Sequence, residues 1–192
     1  MAPVKVLNVG YDSTNYYLLV LSKPLLLVDV GWPKTLPKLE HALQRYGFHL
    51  KDIPYMLATH FHPDHAGLVE EAKEQGVELL LMDNQLASLK TAESGKLYIK
   101  FTPTGNVILR PDESRSFLVR MGLPGEIIAT PGHSDDSVTL VLDEGLAFTG
   151  DLHPVDFATE DQMEKTIASW DKIHSLGVHT IYPGHGPVRQ VG

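Results

Sequence analysis

The chain repeats one structural phrase, and few folds can hold both copies. In the first copy an apolar hairpin ends in a carboxylate, Asp29, and is followed by a helix and a short apolar strand that delivers His60. In the second a hairpin ends in Gly150-Asp151, and a helix and an apolar strand then deliver Pro183-Gly184-His185. From Asp29 to His60 is 31 residues, and from Asp151 to His185 is 34. Two sheets packed face to face, with the helices outside, satisfy both halves. The expected fold is therefore α/β, built of two pseudo-symmetric halves whose strand-end loops meet at one rim. At 192 residues and 43% hydrophobic content the chain is long enough to bury such a core, and residues 1–192 read as a single domain.

The intervening patterns fill in the elements. Residues 4–9 and 14–21 are strands rich in Val, Leu and Tyr, and a turn at Ser22-Lys23-Pro24 returns the chain through 25–30. Leu36, Leu39, Leu43 and Tyr46 form one helical stripe, stopped by Gly47. Residues 53–58 are nearly all apolar, as in a strand covered on both faces. Ala66, Leu68, Val69 and Ala72 predict a helix ended by Gly76; a strand at 77–82 follows, then a short helix capped by Asp83 and carrying Leu86 and Leu89. Residues 95–125, punctuated by Pro103, Gly105, Pro111, Gly122 and Pro124, read as an irregular insertion with a strand at 107–109, and supply the pocket walls. Tyr98, Phe101 and Phe117 tack that insertion to the core rather than forming a lid. A strand at 126–130, a hairpin of 138–142 and 146–149, a helix through Met163, Ile167, Trp170 and Ile173, and a strand at 178–182 complete the chain.

The chemistry concentrates in Thr59-His60-Phe61-His62-Pro63-Asp64-His65, where Phe61 and Pro63 read as spacers between ligands. Strand ends sharing a rim bring His133, Asp151 and His185 to the same place, so His60, His62, Asp64, His65, His133, Asp151 and His185 form a set of seven. There is no cysteine, so any metal is held by nitrogen and oxygen alone. Seven donors exceed the closed four-ligand cage of a structural zinc site, and suit two divalent metals sharing a carboxylate. Zinc is the first expectation, iron or manganese the alternatives. Such metals lower the pKa of bound water from about 15.7 towards about 7 and polarise the bond attacked, with Asp64 or Asp151 managing the proton. His153 is a substrate-side candidate, with an ordinary loop histidine as the competing reading. His41, His49, His174 and His179 carry no spacing signal.

The formal charge of −8 argues against a broad phosphate-gripping surface, so no nucleic acid partner is expected. The start lacks a signal-peptide pattern, and no run approaches the roughly 20 apolar residues of a membrane span. The default is a cytoplasmic protein acting on a small molecule, with no membrane partner and its oligomeric state open.

His-x-His-x-Asp-His at 60–65, Thr-Pro-Gly-His at 130–133, Gly-Asp at 150–151 and Pro-Gly-His-Gly at 183–186 together resemble the metallo-beta-lactamase superfamily over nearly the whole chain. The resemblance implies a four-layer αββα sandwich. It places His60, His62 and His133 on one metal, Asp64, His65 and His185 on the other, and Asp151 between them, and makes Asp29 a support for the ligand loops. Histidine at position 65 is similar to the glyoxalase II and lactonase branches, implying a hydrolase of esters, thioesters or lactones. The chain ends seven residues after His185, short of the helical domain with which glyoxalase II holds glutathione. The alternatives are a persulfide dioxygenase, with one iron on His60, His133 and Asp151, and a phosphodiesterase or nuclease of the RNase Z type. Ser134-Asp135-Asp136-Ser137 departs from the family's commoner pattern, which has glycine at the place of Asp136; that acid reads as a solvated loop charge, and Asp135 is left open.

Overall fold

The computed structural model describes residues 3–92 and 100–191. Its first sheet has the order β1 (Lys5–Asn8), β2 (Tyr17–Val20), β3 (Pro24–Val28), β4 (Tyr55–Leu57), β5 (Glu78–Met82) and β6 (Asn106–Leu109). Its second has the order β11 (Arg189–Gln190), β10 (Thr180–Pro183), β9 (Leu146–Gly150), β8 (Val138–Leu142) and β7 (Gly125–Ala129). Helices α1 (Leu36–Gln44), α2 (Pro63–Ala66), α3 (Val69–Glu74), α4 (Leu86–Ala92), α5 (Pro111–Met121) and α6 (Met163–Ser175) complete the described elements. None of them is long and apolar enough to cross a membrane.

The repeat in the sequence is a repeat of topology. β1–β2–β3 pair antiparallel and β4 returns parallel to β3 after α1; β7–β8–β9 pair antiparallel and β10 returns parallel to β9 after α6. The parallel returns place β3, β4, β9 and β10 with their C-terminal ends at the rim. There the chain reaches Asp29, His60, Asp151 and His185.

Strand side chains alternate between faces, and β5 shows what this does to the core. Leu79 and Leu81 join Leu39 and Leu43 of α1 and Val69 of α3, outside the first sheet. Leu80 and Met82 point the other way, into the layer between the sheets with Leu140 and Phe148. Ile128, Ala147 and Ile181 pack beneath Trp170 and Ile173 of α6. These three apolar layers separate the four layers of an αββα sandwich.

Three expectations are corrected. The segment 95–125 is not irregular where it is described: α5 occupies 111–121. Pro111 sits in its first turn, the Glu113 carboxylate accepts from Arg110 N at 3.0 Å, and Gly122 ends it at φ +88°, a conformation that favours glycine. Its buried face runs Ser114 to Leu118, so a small polar residue stands where an apolar stripe would show. The helix expected across 66–76 is two pieces, α2 and α3, with Leu68 at the break. Asp83 opens a 3-10 turn rather than capping it. Residues 93–99, including Tyr98, lie outside the described residues. Phe101 is buried against Phe61 and Phe117 packs on Tyr55, so both tack their segment to the core.

Candidate metal centre

The rim is built by hydrogen bonds that leave three of its imidazoles one free nitrogen each. Asp29, buried and at φ +62°, accepts from Thr59 N at 2.7 Å through Oδ1. Its Oδ2 accepts from Thr59 Oγ1 at 3.0 Å and from His65 Nδ1 at 2.8 Å. A carboxylate here only accepts, so His65 carries its proton on Nδ1 and turns Nε2 towards the rim. The Thr59 hydroxyl, already donating to Asp29, accepts from His60 Nδ1 at 3.2 Å, which turns His60 Nε2 the same way. His185 Nδ1 donates to Ser13 O at 2.7 Å. Three imidazoles are thereby fixed in one tautomer with Nε2 inward, as ligand histidines are held in metal proteins.

The halves hold each other's ligand loops. Residues at and just before the start of β8 grip the loop after β4: Val138 N donates to Thr59 O at 2.8 Å, and Asp136 Oδ2 accepts from Phe61 N at 2.8 Å. Residues before β2 grip the loop after β10: Asn15 N donates to Gly184 O at 2.7 Å, and Asn15 Nδ2 donates to Pro183 O and Gly186 O, both at 2.9 Å. Two readings change accordingly. Asp136 is buried and positions the first histidine loop, rather than carrying a solvated charge, and Phe61 is an anchor under that loop rather than a spacer. Asp136 and Asn15 stand at matching places in the two halves, a correspondence the unlike local sequences conceal. Asp135 is exposed and pairs with Lys165 at 2.7 Å.

The seven expected donors converge. His62 Nδ1 lies 3.0 Å from His60 Nε2 and 2.9 Å from His133 Nε2. Asp64 Oδ2 lies 3.4 Å from His65 Nε2 and 3.2 Å from His185 Nε2. Asp151 stands between the groups, with Oδ1 at 3.2 Å from His65 Nε2 and Oδ2 at 3.4 Å from His185, 3.7 Å from His133 and 3.9 Å from His60. Donors at about 2.0–2.1 Å from a tetrahedral zinc stand about 3.4 Å apart, in the middle of these separations. Three donor sets satisfy metal spacing: His60–His62–His133, His60–His65–Asp151 and Asp64–His65–His185.

The fit to a cation rests on one pair of atoms. His65 Nε2 and Asp151 Oδ1 are both sealed from water and lack a hydrogen-bond partner. With Nδ1 protonated, Nε2 presents a lone pair to a carboxylate oxygen, an arrangement that needs a positive centre between them. Without a metal a proton serves: burial opposes a charge on His65, but Asp29 and Asp151 overcome it and push its pKa up to about 10. Burial also opposes the charge of Asp151, yet His65 holds its carboxyl below the usual carboxylate range. Burial, reinforced by the charge on His65, keeps His60 neutral; burial likewise lowers His133 against the pull of Asp151. A Cβ on Gly184 would fall on Asp151 Oδ1 and on His65 Cε1, so glycine is required for this loop to close over the pair.

A cavity of about 170 Å³ beside the rim is lined by Asp151, His153, Pro154, His185 and Arg189. The His153 ring meets His133 edge to face at 5.2 Å, so this histidine is on the site's wall. None of residues 100–125 lines this cavity, and residues 95–99 of the segment expected to wall the pocket lie outside the described residues. His41, His49, His174 and His179 are exposed.

Residues 9–185 match the family model of the metallo-beta-lactamase superfamily. The chain belongs to that superfamily. This superfamily member is 30% identical to a probable metallo-hydrolase of Methanocaldococcus jannaschii over 96% of the chain and 93% of the relative. It is 28% identical to a beta-lactamase-like protein 2 homolog of Drosophila melanogaster over 92% of the chain but only 60% of that longer protein. A metallo-beta-lactamase family protein from Thermus thermophilus superposes with a TM-score of 0.73 at 22% identity, over 97% of this chain and 74% of that one. A metallo-beta-lactamase from Novosphingobium pentaromativorans gives 0.72 at 20% identity, over 94% and 73%. At those identities the two structures support the αββα fold. Membership and the archaeal relative support a hydrolase that uses metal.

Proposed function

We propose that the rim is a two-metal hydrolytic centre acting on an ester, thioester or lactone of a small molecule. His60, His62 and His133 would hold one divalent ion, and Asp64, His65 and His185 the other, with Asp151 shared. The donor chemistry suits zinc first and iron or manganese next. When bound, such ions supply an acidified water and polarise the oxygen of the bond attacked. The chain's own contribution is orientation: Asp29, Thr59 and Ser13 fix the imidazoles, and the loop through Gly184 covers the buried pair. Asp64 Oδ2, which accepts from Thr14 Oγ1 at 3.2 Å, and the half-buried Asp151 are the carboxylates placed to take or return a proton at the rim. The observation that carries the reading is the position of Asp151, whose Oδ1 faces His65 and whose Oδ2 lies between His185 of one set and His133 and His60 of the other. A one-iron dioxygenase on His60, His133 and Asp151 would leave the Asp64–His65–His185 set, which also satisfies metal spacing, without a role.

The test is a hydrolysis panel with metal-replete protein: a lactone, lactoylglutathione, a bis-aryl phosphodiester and a beta-lactam. Turnover of the lactone or thioester, lost together with metal in Asp151→Ala, is the expected result. Turnover of the phosphodiester alone, or full activity in Asp151→Ala, would overturn it.

A further inference from the structure

The cavity at the rim does not end there. Pro154 and Arg189 line both it and a second, larger groove of about 600 Å³, whose walls include Val155, Ile167, Trp170 and Ile181. The groove follows from the fold. β11 pairs with β10 so that Arg189 lies opposite Ile181, on the face covered by α6, and among the described residues the gap between strand edge and helix is open. Its walls are largely apolar, with Asp171, His174 and Gln190 as the polar lining away from the rim cavity. The indole N–H of Trp170 is already engaged, donating to His153 O at 2.7 Å, and its ring stacks on His174, so the little of this buried ring that meets the groove is carbon. Ile167 is 42% exposed at the groove although it lies on the inward stripe of α6 predicted from the sequence. At the junction stands a half-buried Arg189, which pairs with no carboxylate among the described residues, on a chain whose formal charge is −8. From the rim outward the order is therefore reacting centre, cation, apolar trough.

We propose that this groove is the substrate's binding site beyond the reacting bond, and that it takes an ester or thioester bearing an anionic group beside that bond and an apolar arm beyond it. The inference rests on the hydrolytic reading of the rim. Arg189 receives the anion through charge-assisted hydrogen bonds, and the arm lies along Val155, Ile167 and Trp170, removing apolar surface from water.

Three compounds separate the contributions: the β-methyl ester of N-octanoyl-aspartate, the same ester with its α-carboxylate as a primary amide, and the N-acetyl analogue. In metal-replete protein kcat/KM is expected to be at least about tenfold higher for the first than for either other, the size of one charge-assisted contact. Arg189→Gln erases the preference for the carboxylate, Arg189→Lys keeps most of it, and Ile167→Ser narrows the gap between octanoyl and acetyl. Thermal melts confirm that each variant is folded. Calorimetric binding of N-octanoyl-asparagine, which carries no ester, gives a readout without turnover and should weaken about tenfold in Arg189→Gln. Undiminished binding in that variant, no binding by the wild type, or a dimer that buries Ile167 and excludes the probe would overturn the proposal. Arg189-dependent binding with no ester hydrolysed would retain the binding site and reject the hydrolytic reading.

Discussion

Replacing Asp29 by asparagine changes little in shape and reverses two hydrogen bonds. Asp29 Oδ2 accepts from His65 Nδ1 at 2.8 Å and from Thr59 Oγ1 at 3.0 Å, while Oδ1 accepts from Thr59 N at 2.7 Å. The backbone contact can survive on the amide oxygen of the introduced side chain, leaving its NH2 group aimed at His65 Nδ1. Two donors cannot face each other, so His65 must move its proton to Nε2, the atom 3.2 Å from Asp151 Oδ1 and 3.4 Å from Asp64 Oδ2. A proton there occupies the metal-binding lone pair. Loss of such an orienting partner costs about 10–100-fold in metal affinity, about 1.4–2.8 kcal/mol. The Asp64–His65–His185 set should weaken most, and His60–His62–His133 less, through Thr59, whose hydroxyl loses its Asp29 acceptor and with it part of its hold on the His60 tautomer. Competition with a chelator should therefore show one ion loosened more than the other, and nitrogen-15 NMR of the metal-free variant should report His65 Nδ1 without the proton it carries in the wild type. Two ions held with wild-type affinity would refute the reasoning.

Asn15→Ala removes two hydrogen bonds from the loop that carries His185; the melting midpoint should fall by roughly 4–8 °C, about 2 kcal/mol for a chain of this size, with a weakened second ion measured by chelator competition. Gly184→Ala places a methyl group on Asp151 and His65, so elemental analysis should find metal content reduced while circular dichroism shows the fold kept. Leu118→Ala opens a cavity under α5 and should cost about 2–5 kcal/mol in a denaturant melt, whereas Val119→Ala, at a site 51% exposed on the same helix, should stay within about 0.5 kcal/mol.

The fold and the convergence of the seven donors are readable because both are written locally. Apolar strands ending in Asp29, His60, Asp151 and His185 announce their own direction, and parallel returns then force those ends together. What the sequence hides depends on contacts between distant segments. Asp136 looks like one acid of a polar loop until Phe61 N, 75 residues away, is seen to donate to it. Asn15 looks like a turn residue until it is found across the rim on Pro183 and Gly186. α5 is hidden for another reason: its buried Ser114 interrupts the apolar stripe, and Pro111 and Gly122, which mark its start and end, look like mere breaks. Arg189 has no signal at all, because the strand that places it opposite Ile181 is two residues long.

Metal content decides whether the rim is what its geometry implies. Protein dialysed against excess zinc, freed of loosely bound ions and analysed by elemental mass spectrometry should carry two ions per chain, falling in Asp151→Ala, which removes the shared carboxylate. Fewer than one ion per chain under metal-replete conditions would contradict the two-metal centre and the hydrolysis attributed to it.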